Sequence, residues 1–257
     1  MSVEGKRVIV TGGASGIGAA AVHAFAAAGA AVAAVDLSED GAAVARCASD
    51  AGPGRAHFFR ASVADRAALT AAVDEAVATL GGIDGLIHAA GVQQYKPAEE
   101  LTDADWDHVV GTNARGTMIA NQAVFDYMKA AGGGRIVNFA SAAGIAGLRG
   151  CAHYSASKGA VLSWTRVIAQ EWAQHGITAN AVAPAMWTEM YQRTRDRLSP
   201  EQLAEHDAGM ARALPLGGRL GDPTYDMAPV LLFLMSDGAR FINGQTIPVD
   251  GGMVMVR

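Results

Sequence analysis

Thr11-Gly12-Gly13-Ala14-Ser15-Gly16-Ile17-Gly18 decides how this chain is read, because of what stands on either side of it. Before it, Arg7 to Thr11 is a short run rich in β-branched residues, the composition of a buried strand. After it, Ile17 to Ala28 is glycine-free and alanine-rich and stops at Gly29, the pattern of a helix with its C-terminal cap. A second strand runs from Ala31 to Val35 and is closed by Asp36. Strand, glycine turn, helix, strand and acid in that order form the βαβ unit of a dinucleotide-binding domain. Gly12 permits the tight turn out of the strand, Gly16 lets backbone approach a pyrophosphate, and Gly18 lets the helix lie against the sheet. The unpaired N–H groups at the helix start favour an anion. Asp36 can accept hydrogen bonds from both hydroxyls of an adenosine ribose, and its charge would repel a 2′-phosphate. No Arg or Lys adjoins it in sequence, so NAD (or NADH) is expected in preference to NADP. Taken alone, Asp36 also suits a loop or helix cap.

The alternation continues outward from this unit. Helical patterns cover 39–51, 65–80, 103–113, 116–131, 154–175, 186–210 and 223–235, and strand patterns cover 57–61, 83–89, 135–140, 177–182 and 246–249. Strands separated by helices predict an α/β fold, a parallel sheet with helices on both faces. No linker, low-complexity tract or repeat divides the chain, so a single domain over 1–257 is expected, with 186–210 as a helical flap over the substrate.

Composition agrees with a large buried core: of 257 residues, 51% are hydrophobic and 18% charged, and the 31 glycines suit tight turns and close helix–sheet contacts. A formal charge of −5 without a basic cluster disfavours nucleic acid or an anionic membrane as partner. The two cysteines, Cys47 and Cys151, exclude a disulfide framework and read as free thiols of a reducing compartment. The start of the chain lacks the apolar stretch of a signal peptide and no apolar run suits a bilayer, so a cytoplasmic location is expected. No histidine, cysteine or acidic spacing suggests a metal site.

Tyr154 and Lys158 stand four apart on a predicted helix, so their head groups can converge, and Ser141 lies upstream at a strand end. Together with the glycine turn, Asn113, His88-Ala89-Ala90-Gly91, Pro184 and the ending Asn243-Gly244-Gln245…Asp250-Gly251-Gly252, this ordered set resembles the short-chain dehydrogenase/reductase family over the whole chain. The resemblance implies a Rossmann-type, doubly wound sheet of seven parallel strands, a homotetramer, and interconversion of a secondary alcohol and a ketone. Removing a hydroxyl proton while carbon delivers hydride needs a base, and a phenol with its ordinary pKa near ~10 is a poor one at neutral pH. Lys158 is therefore expected to favour the phenolate of Tyr154 and lower that value. By resemblance Lys158 also holds the nicotinamide ribose, Ser141 hydrogen-bonds the substrate oxygen, and Asn113 braces a water beside Lys158. Alone, Ser141 also fits a turn cap and Asn113 a helix cap.

The same resemblance assigns Ser15, Ile17 and Leu37 to the cofactor beside Gly12, Gly16, Gly18 and Asp36. Ser62 and Val63 fall to the adenine, Ala89, Ala90 and Gly91 to the adenosine, and Pro184, Trp187 and Thr188 to the nicotinamide. His88-Ala89 stands where the family has paired asparagines, Ser62 where many relatives carry an aspartate, and Pro184-Ala185 where Pro-Gly is common. Side-chain hydrogen bonds bracing the central strands must then be replaced. The substrate is expected against Gln93, Tyr95, Ala142, Ile145, Ala146, Leu148, His153, Ala185, Met186 and Tyr191, a mostly apolar, uncharged set that suits a cyclic or aryl alcohol or a sugar-derived polyol. A structural role for His153 is an equal alternative. Two other readings are a 3-oxoacyl-thioester reductase, against which Asp36 argues because that reaction usually uses NADPH, and a non-catalytic NAD-sensing protein.

Overall fold

The structure is a computed structural model that describes residues 2–256; Met1 and Arg257, the ends of the expected domain, lie outside the described residues. Among the described residues seven strands form one sheet: β1 (Arg7–Thr11), β2 (Ala31–Asp36), β3 (Arg55–Arg60), β4 (Gly85–His88), β5 (Gly134–Phe139), β6 (Ile177–Pro184) and β7 (Thr246–Val249). Their order is β3-β2-β1-β4-β5-β6-β7, and every pair is parallel. The chain winds outward from the centre in both directions, so β1 and β4 are neighbours whose connections leave to opposite sides. A crevice opens where they end, the place where such sheets bind ligands.

Alternation along the strands splits the core in two, as a pleat with a period of two residues requires. Val8, Val10, Val32, Ala34, Ile87 and Val137 face the layer of α1 (Gly16–Ala27), α2 (Asp40–Ala51) and α10 (Ala228–Met235). Ile9, Ala33, Val35, Leu86 and Ile136 face α3 (Arg66–Leu80), α5 (Gly116–Ala130) and α7 (Ala152–Glu171). Fully enclosed side chains such as Phe25, Leu69, Ile119 and Ile168 tie these helices down, each burial worth roughly 1.5–3 kcal/mol. The ends are set locally. Asp65 accepts the Ala68 N–H at 3.1 Å to start α3, and Gly81 ends it with φ 72°. No helix among the described residues is long and apolar enough to cross a membrane.

Three expected elements differ. The helices read at 103–113 and 116–131 join: α4 (Asp103–Val110) runs into α5 through a wide π-turn at Gly111–Arg115. Such a turn adds a residue to the helical circuit and re-aims the side chains within it. The helix read at 186–210 is two, α8 (Glu189–Arg195) and α9 (Pro200–Ala213), because Ser199 and Pro200 start a new helix with a reciprocal cap between Ser199 and Gln202. A short helix, α6 (Ala142–Ala146), follows Ser141 and did not show in the pattern.

The glycine turn leaves no room for side chains at Gly12 or Gly18. A Cβ on Gly18 would overlap the Gly12 carbonyl oxygen, and one on Gly12, itself at φ 71°, would stand 2.7 Å from the Ala90 nitrogen. Gly18→Ala is expected to lower unfolding free energy by roughly 1–3 kcal/mol in denaturant titration, whereas the same change at half-buried Gly209, where a Cβ meets nothing within 4 Å, should not be destabilising.

Candidate active site

The turn after β1 presents the start of α1 without side chains in the way. Ser15 is the N-cap, yet its hydroxyl makes no capping bond, so a free donor and free helix N–H groups face the crevice. A groove of about 710 Å³ opens beside this turn, lined by Ser15, Gly16, Trp187, Glu189, Arg193 and Thr224. An uncommitted hydroxyl, a glycine cradle and a helix start make a set that fits a pyrophosphate. Ile17 packs partly buried behind it.

Asp36 ends β2, and both its oxygens are oriented by backbone: one accepts from Ala14 N–H at 3.0 Å, the other from Ser38 N–H at 2.9 Å. Leu37 beside it is 60% exposed. Sequence adjacency had left Asp36 without a cation, but strand register places Arg60 directly opposite it. The Arg60 Nε–H donates to the Leu37 carbonyl at 3.2 Å, and its guanidinium meets Glu39 at 3.2 Å. Ser62, expected near the adenine, has its hydroxyl accepting from Ala64 N–H at 3.3 Å, and the Val63 side chain is buried against Gly116.

His88 supplies the brace missing from this sequence. Its Nδ1 shares a 2.8 Å hydrogen bond with Thr11 Oγ1, joining β1 to β4, and Ala90 N–H reaches the same hydroxyl at 3.4 Å. Burial, and then the charge of Lys158, push the imidazole down to about 3, so it is neutral. Ala89 N–H donates to the Thr11 carbonyl at 3.2 Å. Gly91 lies under the catalytic candidates: a Cβ there would come 3.4 Å from Lys158 Nζ and 3.1 Å from Asn113 Oδ1.

Asn113 sits in the π-turn, 1% exposed, and does not cap a helix. Its oxygen accepts from Val92 N–H at 2.8 Å, and its amide donates to the Val92 carbonyl at 2.9 Å and to Ser157 Oγ at 3.0 Å. Both amide hydrogens are thus spent on protein, so the side chain ties the loop after β4 to α7 and is not a free donor to a water. Ser157, which the sequence reading missed, is the anchor on α7; it lies between Tyr154 and Lys158 and in turn donates to the Tyr154 carbonyl at 2.7 Å.

Ser141 caps α6, accepting from Ala143 N–H at 3.1 Å, which leaves its own hydrogen for another acceptor. Tyr154 and Lys158 share one face of α7, with Nζ 5.8 Å from the phenol ring centre. Lys158 is 5% exposed and donates to the Phe139 carbonyl at 2.7 Å. The expected lowering of the Tyr154 pKa by Lys158 is corrected here. Burial raises the phenol, a hydrogen bond with Ser141 opposes this, and Cys151 adds to the rise. Burial also brings Lys158 down to about 8. In a dry cleft the desolvation of each group outweighs a cation directed at a carbonyl.

Of the expected pocket residues, Ala142 and Ile145 lie half-buried on α6, Ala146 and Leu148 are exposed, and Met186 is buried. Lys96 bridges to Cys151 in parallel, which sets Gln93 and Tyr95 beside the first turn of α7; Gln93 Nε2 is 3.9 Å from Cys151 Sγ. Burial pushes the Tyr95 phenol up to about 12. His153 is corrected: it is fully enclosed, with neither ring nitrogen partnered among the described residues, and so does not line an open pocket. It falls one turn before Ser157, on the inner face of α7, and burial lowers its pKa. Pro184 ends β6, and Ala185 N–H donates to the Val249 carbonyl at 3.0 Å. Thr188 caps α8 through Tyr191 N–H at 3.3 Å. A Cβ on Gly16 would meet Thr188 at 3.6 Å, which brings this segment over the glycine turn. Trp187 packs edge-on to Tyr191 with ring centres 5.2 Å apart. Helices α8 and α9 are joined by Tyr191 to His206 at 2.8 Å and by Arg195 to Asp207, contacts that sequence spacing had not suggested.

Comparison with known proteins gives the same outline. A family profile described as short chain dehydrogenase matches residues 6–199. The chain is 40% identical over 251 residues to a D-threitol dehydrogenase of Mycolicibacterium smegmatis, covering 97% of this chain and 93% of that protein. It is 36% identical to a 3-oxoacyl-[acyl-carrier-protein] reductase of Thermotoga maritima, covering 99% and 100%. Among solved structures, a protein from Beutenbergia cavernae described as an NAD(P)-dependent gluconate 5-dehydrogenase, with NADP bound at low occupancy, superposes with a TM-score of 0.90 at 35% identity, covering 98% of each chain.

A lysine held near 8 instead of 10.5 burdens the folded state wherever it is charged. Lys158→Met is therefore expected to raise unfolding free energy at pH 7 by roughly 1–3 kcal/mol. The folded pKa is the lower one, so the wild type regains stability as pH rises from about 8 to 10.5, and the advantage of the variant should shrink across that window. Denaturant midpoints at pH 7 and pH 10 check both statements.

Proposed function

The chain belongs to the short-chain dehydrogenase family, and on that footing we propose that it is an NAD(H)-dependent oxidoreductase interconverting a secondary alcohol and a ketone. The observation that carries this reading is the convergence of Ser141, Tyr154 and Lys158 at one end of the sheet, beside a glycine turn able to hold a dinucleotide. When bound, nicotinamide supplies the two-electron acceptor or donor for hydride. In oxidation, Tyr154 first gives up its own proton to solvent, and the phenolate oxygen then takes the proton of the substrate hydroxyl while the carbinol hydrogen leaves with its electron pair. Ser141 donates its hydroxyl hydrogen to the substrate oxygen and steadies charge there. Lys158, still protonated at neutral pH, offers its remaining hydrogens to the cofactor ribose and stabilises negative charge on the phenol once a bound ligand draws it off the Phe139 carbonyl. Asn113 acts by positioning, through Val92 and Ser157.

NAD is the preferred cofactor in this reading because Asp36, Glu39 and Asp40 gather three carboxylates at the ribose corner against one arginine, which is itself paired. For the substrate, the Gln93 amide and the neutral Tyr95 hydroxyl beside Tyr154 favour an uncharged molecule with a second hydroxyl, a polyol, in agreement with the threitol-oxidising relative. We take residues 186–210 as the cover of this pocket and the whole chain as one catalytic unit.

The chain is also proposed to assemble as a homotetramer. Apolar side chains left exposed on one subunit, Val167 on α7 at 51%, Tyr225 at 80%, Phe241 at 99% and Met255 at 76%, support this.

A panel of polyols, cyclic alcohols and acetoacetyl thioesters, followed by NADH and NADPH absorbance, tests the reading. Turnover of neutral alcohols with NAD is expected, and Tyr154→Phe should lower kcat by at least ~10³-fold while NADH still binds. Full activity in that variant, or activity confined to thioesters with NADPH, overturns it. Light scattering should give four times the subunit mass.

A further inference from the structure

We propose that Arg60 is a closed binding site for a phosphate monoester on the adenosine ribose, and that Glu39 keeps it closed and thereby sets how strongly the protein discriminates against NADP. The proposal rests on the reading of Asp36 as the ribose ligand. Register places Arg60 on the strand next to Asp36 and directly opposite it, so both side chains rise from the same face of the sheet about 5 Å apart at their roots. Three carboxylates share this corner, and their partners differ. Asp36 is satisfied by the Ala14 and Ser38 backbone, and Asp40 accepts the Ser38 hydroxyl at 2.9 Å. Among the described residues the cation facing Glu39 is Arg60, at 3.2 Å.

The pair is exposed on both sides, with side-chain exposures of 60% and 69%. An exposed carboxylate–guanidinium contact is weak and exchanges readily. A phosphate monoester carries nearly twice the charge of a carboxylate and matches the planar guanidinium fork, so it competes for the same hydrogens. Arg60 is also held independently of Glu39, because its Nε–H donates to the Leu37 carbonyl at 3.2 Å. Removing the glutamate charge therefore frees a guanidinium that remains at the corner. The cation is supplied by β3 and its lock by the residue before α2, which only strand pairing brings together.

Equilibrium titrations of NADH and NADPH, read by quenching of tryptophan fluorescence, test this without turnover. Glu39→Gln is expected to tighten NADPH about fivefold and to leave NADH within about twofold. Arg60→Gln should weaken NADPH several-fold and leave NADH within the same limit, and the double variant should lose the gain. A gain that survives in the double variant means that simple charge removal is responsible, and overturns the proposal. Equal shifts for NADH and NADPH overturn it too. Asp36→Asn separates the underlying reading: unchanged NADH affinity in that variant shows that Asp36 does not hold the ribose, whatever Glu39 and Arg60 do.

Discussion

The α carbon of Gly18 lies so near the carbonyl oxygen of Gly12 that no side chain fits between them. This contact lets α1 begin almost on top of the end of β1, with its first N–H groups directed into the crevice between β1 and β4. The same economy recurs across the gap, where Gly12 rests on the backbone of Ala90. Because both walls are bare backbone, the segment after β4 can pass close to the glycine turn and carry Gly91 beneath Lys158. A larger residue at any of these points would push the helix, the loop or the lysine outward.

A second constraint fixes the side that carries Tyr154 and Lys158. The π-turn between α4 and α5 turns Asn113 inward, and its amide closes on Val92 and Ser157. Three segments far apart in sequence thus share one side chain. Ser157 lies within the same helical turn as Tyr154 and Lys158, so the amide sets the height of that turn relative to the sheet. Thr11 and His88 do a similar service for the two central strands. A buried network of this kind is specific because each missing partner leaves a polar group unsatisfied.

Electrostatics at the site are governed by dryness. Burial brings Lys158 down and holds Tyr154 up. The resting site is therefore not a preformed phenolate but a pair of buried groups whose balance changes when charge or hydroxyls arrive beside them.

The fold was legible from local pattern: β-branched runs, glycine stops and Asp65 at the start of α3 are properties of neighbouring residues, and short-range steric rules act on them directly. Tyr154 with Lys158, and the glycine turn ending at Gly18, were legible for the same reason, since helical spacing and tight turns are local. The wide turn at Asn113 was not, because a π-turn differs from an α-turn by one hydrogen-bond step that leaves no compositional mark. The break at Ser199-Pro200 is written in the sequence as a cap and a proline, but it lies inside an amphipathic pattern that continues across it. His153 could not be placed by sequence, because burial depends on what packs over a side chain. Sequence alone determined the order of elements, the chemistry of the residues and the charge of Asp36. Tertiary structure decided what those residues do to each other: that Arg60 stands across from Asp36, that Asn113 grips Ser157, and that desolvation outweighs the cation at Tyr154. Register, enclosure and dielectric are properties of assembled neighbours, and no single segment carries them.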